Sequence, residues 1–510
     1  MGKPRVRRVT VEPAFLALPL RALADAALQT ARDAGAEHAD VRVERLRNQH
    51  LSLRDAELEN LSDDVTLGLA VRVIVDGTWG FASSADVTTD EARRLAREAV
   101  DVARTSRPLN SQPIALADEP VYDDVTWVSA YDIDPFGVPT ADKVALFTDW
   151  SRGLLAHDDV DHVDISLLQA QECKFYADTA RTTTTQQRIR LQPQVTGTRL
   201  DPGGGFETMR TLAAPVGRGW EYLTTGYDWT SELEQLPLNL VEKAKASSVE
   251  PGRYDLVIDP SNLWLTIHES VGHATELDRA LGYEAAYAGT SFATLDQLGT
   301  LRYGTDLMHV TGDRHTPHGL STVGWDDEGV AAQQWDIVRD GTLVGYQLDR
   351  RMAQQNGAAL GVSRSNGCAF ADGPYRVPVQ RMPNVSLQAA PDGPTTDQLI
   401  GGVERGIYVV GDKSWSIDMQ RYNFQFTGQR FYEIRSGRLV GQLRDVAYQA
   451  TTTEFWGSME ALGGPSTYVL GGAFNCGKAQ PSQTAAVSHG CPTAVFRGVS
   501  ILNTHREAGR

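Results

Sequence analysis

The clearest hydrophobic pattern in the chain is the alternating run Leu67, Leu69, Val71, Val73 and Val75. A period of two marks a strand with one buried face. Asp76-Gly77 follows, a pair that supplies the two positive-φ positions of a tight hairpin turn, so residues 79–83 are the expected returning strand. Ala39, Val41 and Val43 alternate in the same way, as do Leu51 and Leu53. Helical periodicity flanks these strands. Leu20, Leu23, Ala24, Ala27, Leu28 and Ala31 share one face of a helix that ends near Gly35. Thr88 and Glu91 fit a capping box ahead of Ala92, Leu95, Ala96, Ala99, Val102 and Ala103. Residues 20–106 therefore read as an N-terminal α+β module.

The pattern weakens between Pro108 and Pro139, where five prolines mark a linker or an irregular wrap. A helix is expected over 140–157, then short strands over 160–212, then a helix after Pro237. Residues 107–250 thus form a linker plus a middle α+β module, ending at Pro251-Gly252. From 251 to 510 glycines, aromatics and β-branched residues dominate, and few helices are expected. One of these follows Asp259-Pro260-Ser261, an N-cap with proline at the first helical position. The fold class is α+β: a mixed α/β N-terminal half followed by a β-rich C-terminal domain.

Composition narrows the function. Of 510 residues, 41% are hydrophobic and 22% charged, which excludes a disordered chain. The net charge of −17 argues against general binding to nucleic acid or anionic membrane. No apolar run approaches the ~18 residues of a membrane span. Arg7-Arg8 faintly resembles an export signal, but Glu12, Pro13 and Pro19 interrupt the hydrophobic stretch that should follow. The expected protein is soluble and cytoplasmic, with no direct nucleic-acid partner. Four cysteines cannot form a disulfide framework.

Chemistry concentrates at Ile267-His268-Glu269-Ser270-Val271-Gly272-His273, an H-E-x-x-x-H pattern with one residue more than the zincin H-E-x-x-H. On a regular helix, positions i and i+5 lie about 140° apart, so both imidazoles cannot face one metal. The turn must widen or break over 270–272, and Gly272 makes distortion there cheap. Zinc needs a third protein ligand, and a catalytic site leaves the fourth position to water. Cys173, Cys368, Cys476, Cys491, a carboxylate or another histidine could supply it. Cys476 stands in a glycine-rich frame beside Lys478, which would favour a thiolate. Cys173, Cys368 and Cys491 read as structural. His309, His315 and His318 form a weaker rival cluster. Glu276 and Asp278 are candidate acceptors behind the ligand histidines. Asp326, Asp327 and Glu328 are candidates for substrate contact or for fixing a loop. Tyr422 and His489 are weaker candidates for stabilising an oxyanion.

These residues resemble the TldD/PmbA family, whose members also carry an older label as modulators of DNA gyrase. The resemblance spans about residues 22–502. It rests on residues 68–83 (GLAVRVIVDGTWGFAS), 268–276 (HESVGHATE), 326–329 (DDEG), 381–384 (RMPN) and Cys476-Gly477-Lys478, all in the family's order. Gly329 is followed here by Val330-Ala331 rather than by the x-Pro of the family pattern. The resemblance implies a TldD-type metallopeptidase holding one zinc ion per chain through His268, His273 and Cys476, with Glu269 as the catalytic glutamate. It further implies a homodimer, or a heterodimer with a PmbA-like (TldE) subunit, acting on peptides or unfolded protein segments. The alternatives are a non-catalytic peptide-binding or regulatory subunit with a structural zinc, and a hydrolase of non-peptide amides.

Overall fold

The computed structural model describes residues 10–479 and 481–505. The basic run containing Arg7-Arg8 lies outside them. Helix α1 (Leu20–Asp33) buries the six residues that share its apolar face. Strands β1 (His38–Arg54), β2 (Glu57–Val75) and β3 (Thr78–Ser84) form an antiparallel meander. Asp76 and Gly77 turn it at φ of 47° and 66°, the primed geometry that matches strand twist. In helix α2 (Thr89–Ser106), the Thr88 hydroxyl accepts the Glu91 N–H. Val100 is buried on its inner face, while Val102 is exposed. Val100 follows Ala96 by four residues and precedes Ala103 by three, so it belongs to the inner stripe and Val102 does not.

The middle of the chain differs from its expected texture. Strand β4 (Val125–Val128) interrupts the proline-rich stretch, and α3 (Thr140–Leu155) follows. The expected short strands are two long ones, β5 (His162–Asp178) and β6 (Thr183–Leu200), joined to the short β7 (Phe206–Arg210). Helix α4 (Trp229–Lys245) starts before Pro237 and contains it, capped by the Asp228 carboxylate on the Ser231 N–H. Together β1–β7 make one seven-stranded sheet in the order β3-β2-β1-β5-β6-β4, with β7 beside β6. Strands from both N-terminal segments thus share a single sheet, through a β1–β5 ladder running from Asp40↔Asp178 to Arg54↔Asp164.

In the C-terminal part, β8 (Gly252–Ile258) feeds α5 (Pro260–Ile267). Strands β9 (Arg405–Ile417), β10 (Asn423–Arg435) and β11 (Val446–Thr451) follow, then the hairpin β12 (Val469–Lys478) and β13 (Gln483–Cys491), and finally β14 (Ala494–Asn503). Strands β9-β8-β14-β11-β10 are neighbours in that order, and β10 pairs back with β9. The ring closes, removing the exposed edges of these strands. Its inner face builds the largest apolar core, around Leu256, Ile407, Val409, Phe426, Tyr448 and Phe496.

This domain packs on the N-terminal sheet. The half of β5 toward Asp178 is buried on both faces, whereas the half toward His162 alternates. On this part of the sheet β5, β1 and β2 each carry a buried cation that the C-terminal part answers. Lys174 Nζ is 2.8 Å from Asp327, Arg42 Nη1 is 3.4 Å from Asp327, and Arg72 Nη1 is 3.0 Å from Glu328. Among the described residues, no helix is long and apolar enough to cross a membrane.

Candidate active site

Asp259 caps α5 by accepting the Ser261 N–H at 2.9 Å, with Pro260 at the first helical position. The helix then widens. Residues His268–Gly272 form one π-helical turn, in which the His273 N–H bonds to the carbonyl of His268 five residues back. This is the distortion that the i, i+5 spacing requires, and it turns both imidazoles to one side. Their ring centroids are 4.7 Å apart. Gly272 serves a different purpose from the one expected. Its φ of −53° is ordinary for a helix, but an added Cβ would lie 2.5 Å from Met382 Sδ. The glycine makes room for a buried neighbour.

The third donor comes from β12. A bulge between Ala473 and Cys476 inserts one extra residue opposite β13 and re-aims the strand. Gly471 lets β12 lie against α5, since a Cβ there would meet the Trp264 ring at 2.5 Å. Donor atoms of His268, His273 and Cys476 all lie within 4.8 Å of one another, and the three side chains are buried. Cys476 Sγ is 3.5 Å from His273 Nε2. Among the described residues, no other group of three His, Cys, Asp or Glu side chains is so arranged.

Hydrogen bonds fix which nitrogen of each ring donates. Val385 O, which can only accept, is 2.8 Å from His489 Nδ1, so that nitrogen carries the proton. Burial holds His489 well below its ordinary pKa, helped by repulsion from His268, so the ring is neutral and its Nε2 accepts. His268 Nδ1, 2.7 Å away, must then donate, leaving His268 Nε2 with a free lone pair. His273 Nδ1 donates to Glu276 Oε2 at 2.9 Å, so its Nε2 is the nitrogen turned toward Cys476 Sγ. A carboxylate behind a histidine is a recurrent support for metal ligation. Burial raises the Cys476 thiol, but His273 and Arg381 outweigh that and hold it below its ordinary value. Two imidazole nitrogens and a sulfur inclined to ionise suit zinc.

Lys478 does not face the sulfur. Its ammonium bridges Glu276 at 3.0 Å, Asp278 at 2.8 Å and Glu284 at 3.4 Å. It therefore supports the His273–Glu276 pair and leaves the Cys476 sulfur to His273 and Arg381, whose Nη2 also donates to the Cys476 carbonyl at 2.7 Å. Asp278 reaches the histidines only through Lys478.

Glu269 sits beside the three donors, 5% exposed, at the wall of a cavity of about 490 Å³. The cavity lies between segments 192–194 and 210–215 of the first half and Trp264, Asp412, Trp415 and β12 of the second. Burial raises the Glu269 carboxyl, but His273, His268 and Arg421 outweigh it and keep it below its ordinary value. Arg421 Nη1 is 3.1 Å from Glu269 Oε2. No local pattern in the sequence links Arg421, in a hairpin turn, to a helix 152 residues earlier.

The remaining candidates lie elsewhere. Asp326 accepts the N–H groups of Glu328, Val330 and Ala369, while Asp327 and Glu328 hold the ion pairs to the N-terminal sheet. None of the three lines the cavity at the histidines. His489 is sealed behind His268 and cannot meet a substrate. Tyr422 OH points to Thr453, 3.2 Å away. His309 pairs with Asp336, His315 with Asp313, and His318 with the Gly217 carbonyl, so these three do not converge. All four cysteines are free and buried. Burial pushes Cys173 and Cys368 up to about 12, the opposite direction from Cys476.

The family model described as PmbA/TldA metallopeptidase C-terminal domain matches residues 251–503, and that of PmbA/TldA metallopeptidase domain 1 matches residues 39–103. A metalloprotease of Methanothermobacter thermautotrophicus is 26% identical over 472 residues, covering 92% of this chain and 96% of that protein. A zinc metalloprotease TldD homolog of Saccharolobus solfataricus is 21% identical over 469 residues, covering 91% and 96%. Among solved structures, TldE from Thermococcus kodakarensis superposes with a TM-score of 0.68 at 14% identity, covering 93% of this chain and 98% of that one. At that identity the likeness concerns the fold.

Proposed function

This chain belongs to the PmbA/TldD metallopeptidase family, and on that premise we propose that it is a zinc-dependent peptidase acting on small peptides or flexible protein segments. His268, His273 and Cys476 hold one zinc ion per chain, and Glu269 is the general base. The observation that carries this reading is the convergence of two imidazole nitrogens and a cysteine sulfur beside a glutamate on a cavity wall. Three donors leave one position open, as catalytic zinc requires, whereas structural zinc is closed by four protein ligands. Among the described residues no fourth donor joins the group, which weighs against a non-catalytic subunit with a structural zinc.

When bound, zinc supplies a Lewis acid that acidifies a water and polarises a carbonyl. Glu269 takes a proton from the attacking water and later returns it to the amine as the C–N bond breaks, so the protein ends as it began. His489 and Glu276 keep the protons of the ligand histidines on the far nitrogens. A cavity of about 490 Å³ accepts a few residues of an extended chain and no folded domain. The proposed working form is a two-subunit assembly, either of identical chains or with a TldE-like partner.

The test is digestion of a denatured protein and a mixed peptide pool, with chelator and after zinc is restored. Cleavage that stops in chelator and returns with zinc supports the peptidase. Peptide binding without cleavage by the zinc-loaded protein would favour the non-catalytic subunit.

A further inference from the structure

Arg421 stands in the turn that joins β9 to β10, with a φ of 63°. That is the left-handed region, which a non-glycine residue occupies under strain, and such strain gathers where the surroundings enforce a conformation. Here they do. The Asp418 carboxylate accepts the N–H groups of Gln420, Tyr422 and Asn423 at 2.8–3.0 Å. The Thr290 and Phe292 N–H groups bond to the carbonyls of Met419 and Gln420. The Thr452 hydroxyl donates to the Arg421 carbonyl at 2.8 Å.

This braced turn delivers a guanidinium to the cavity wall. Nη1 lies 3.1 Å from Glu269 Oε2, and Nη2 lies 3.4 Å from the Ala288 carbonyl. Among the described residues, Nε is buried without a partner. The grip on Glu269 is one-sided, because the bond from Arg421 goes to Oε2 and none from the described residues goes to Oε1.

We propose that Arg421 is a positioning residue for hydrolysis: it pins Oε2 of Glu269 so that Oε1 is the oxygen presented to the water. This rests on the peptidase reading above. A carboxylate free to swing in its cavity would hold its proton-accepting lone pair in line for only part of the time, and misplacement of about 1 Å can lower a rate ~100-fold. The arrangement acts on the rate of the chemical step and leaves peptide binding alone.

The test uses Arg421→Gly and Arg421→Lys in the full-length protein. Glycine suits the backbone at 421, so loss of folding does not obscure the result. In R421G we expect unchanged zinc content, a KM within about two-fold of wild type, and a kcat lowered about 10–100-fold. Added guanidinium at tens of millimolar should restore part of kcat in R421G and none in wild type. R421K, with a point charge and no fork, should recover only part of the rate. A second measurement needs no activity: in metal-free protein, R421G should lower the melting temperature more when residue 269 is Glu than in the E269Q background. An unchanged kcat in R421G, a loss accompanied by loss of zinc, or equal melting shifts in both backgrounds would each overturn the proposal. If zinc-loaded wild type cleaves no peptide, the peptidase reading itself fails, while the melting comparison still reports whether the pair is coupled.

Discussion

His268 Nδ1 lies 2.7 Å from His489 Nε2, and the two rings form a buried relay that ends on the Val385 carbonyl. The relay fixes the proton on the far side of His268 and frees its near nitrogen. A residue in the last hairpin, 221 positions away, thereby decides the tautomer of the first histidine of the motif.

Replacing His489 should weaken the metal without touching it. H489F removes the acceptor and is expected to lower zinc affinity about 10–100-fold. H489Q places an amide oxygen near the lost nitrogen and should lose less. Competition against a chromophoric chelator measures both. If H489F holds zinc as wild type does, His489 serves packing alone.

Glu269→Gln separates binding from catalysis. The side chain keeps its shape but has no carboxylate to take a proton. Zinc content, measured by elemental analysis, should equal that of wild type, and the cleavage rate should fall by about 10²–10⁴. Cleavage at the wild-type rate would remove Glu269 from the mechanism.

Gly272→Ala tests the packing behind the widened turn. Met382 is buried, but the atoms the methyl would meet, Sδ and Cε, are the far end of a flexible side chain, so the change should destabilise the fold by about 1 kcal/mol. In an M382A background the same change should have a clearly smaller effect, as coupled neighbours do. Equal effects in denaturant melts would place the cause in the backbone instead.

Glu44 predicts a pH dependence of stability. It is fully buried between Arg42 and Lys174, and neither of its oxygens has a hydrogen-bond partner among the described residues. Burial raises its carboxyl, with Lys174 pulling it down and Glu172 pushing it up, from an ordinary 4.5 to about 7. The folded state therefore holds this proton more tightly than the unfolded chain. The resulting stability is complete below about pH 4.5 and is lost as pH rises toward 7. Glu44→Gln keeps the group neutral throughout. Its urea midpoint should match wild type at pH 4 and exceed it at pH 8, and an identical difference at both pH values would contradict the assignment.

Local periodicity carried much of the secondary structure. The six-residue face of α1, the Asp76-Gly77 hairpin and the Asp259 cap depend on residues a few positions apart, so they are legible in order along the chain. The widened turn was legible for the same reason, since two histidines five apart cannot converge on a regular helix. Where tertiary packing intruded, local reading slipped. Long β5 and β6 looked like short strands because the second domain buries both faces of β5 toward Asp178, which erases the alternation there. Pro237 looked like a helix start, yet it lies inside α4, whose packing against the sheet outweighs the lost hydrogen bond.

By itself the sequence determined that His268 and His273 are held on one deformable turn and that an acid lies between them, because covalent spacing dictates both. Which groups lie behind and across from that turn was decided only by the tertiary structure. Cys476 arrives on a bulged strand, His489 on its partner, Lys478 on three acids rather than on the sulfur, and Arg421 on a strained hairpin turn. The physical reason is one of range. A helix or a turn is set by neighbours within about five residues, whereas a proton's position on an imidazole is set by whichever partner the closed barrel and its last hairpin bring within hydrogen-bond distance.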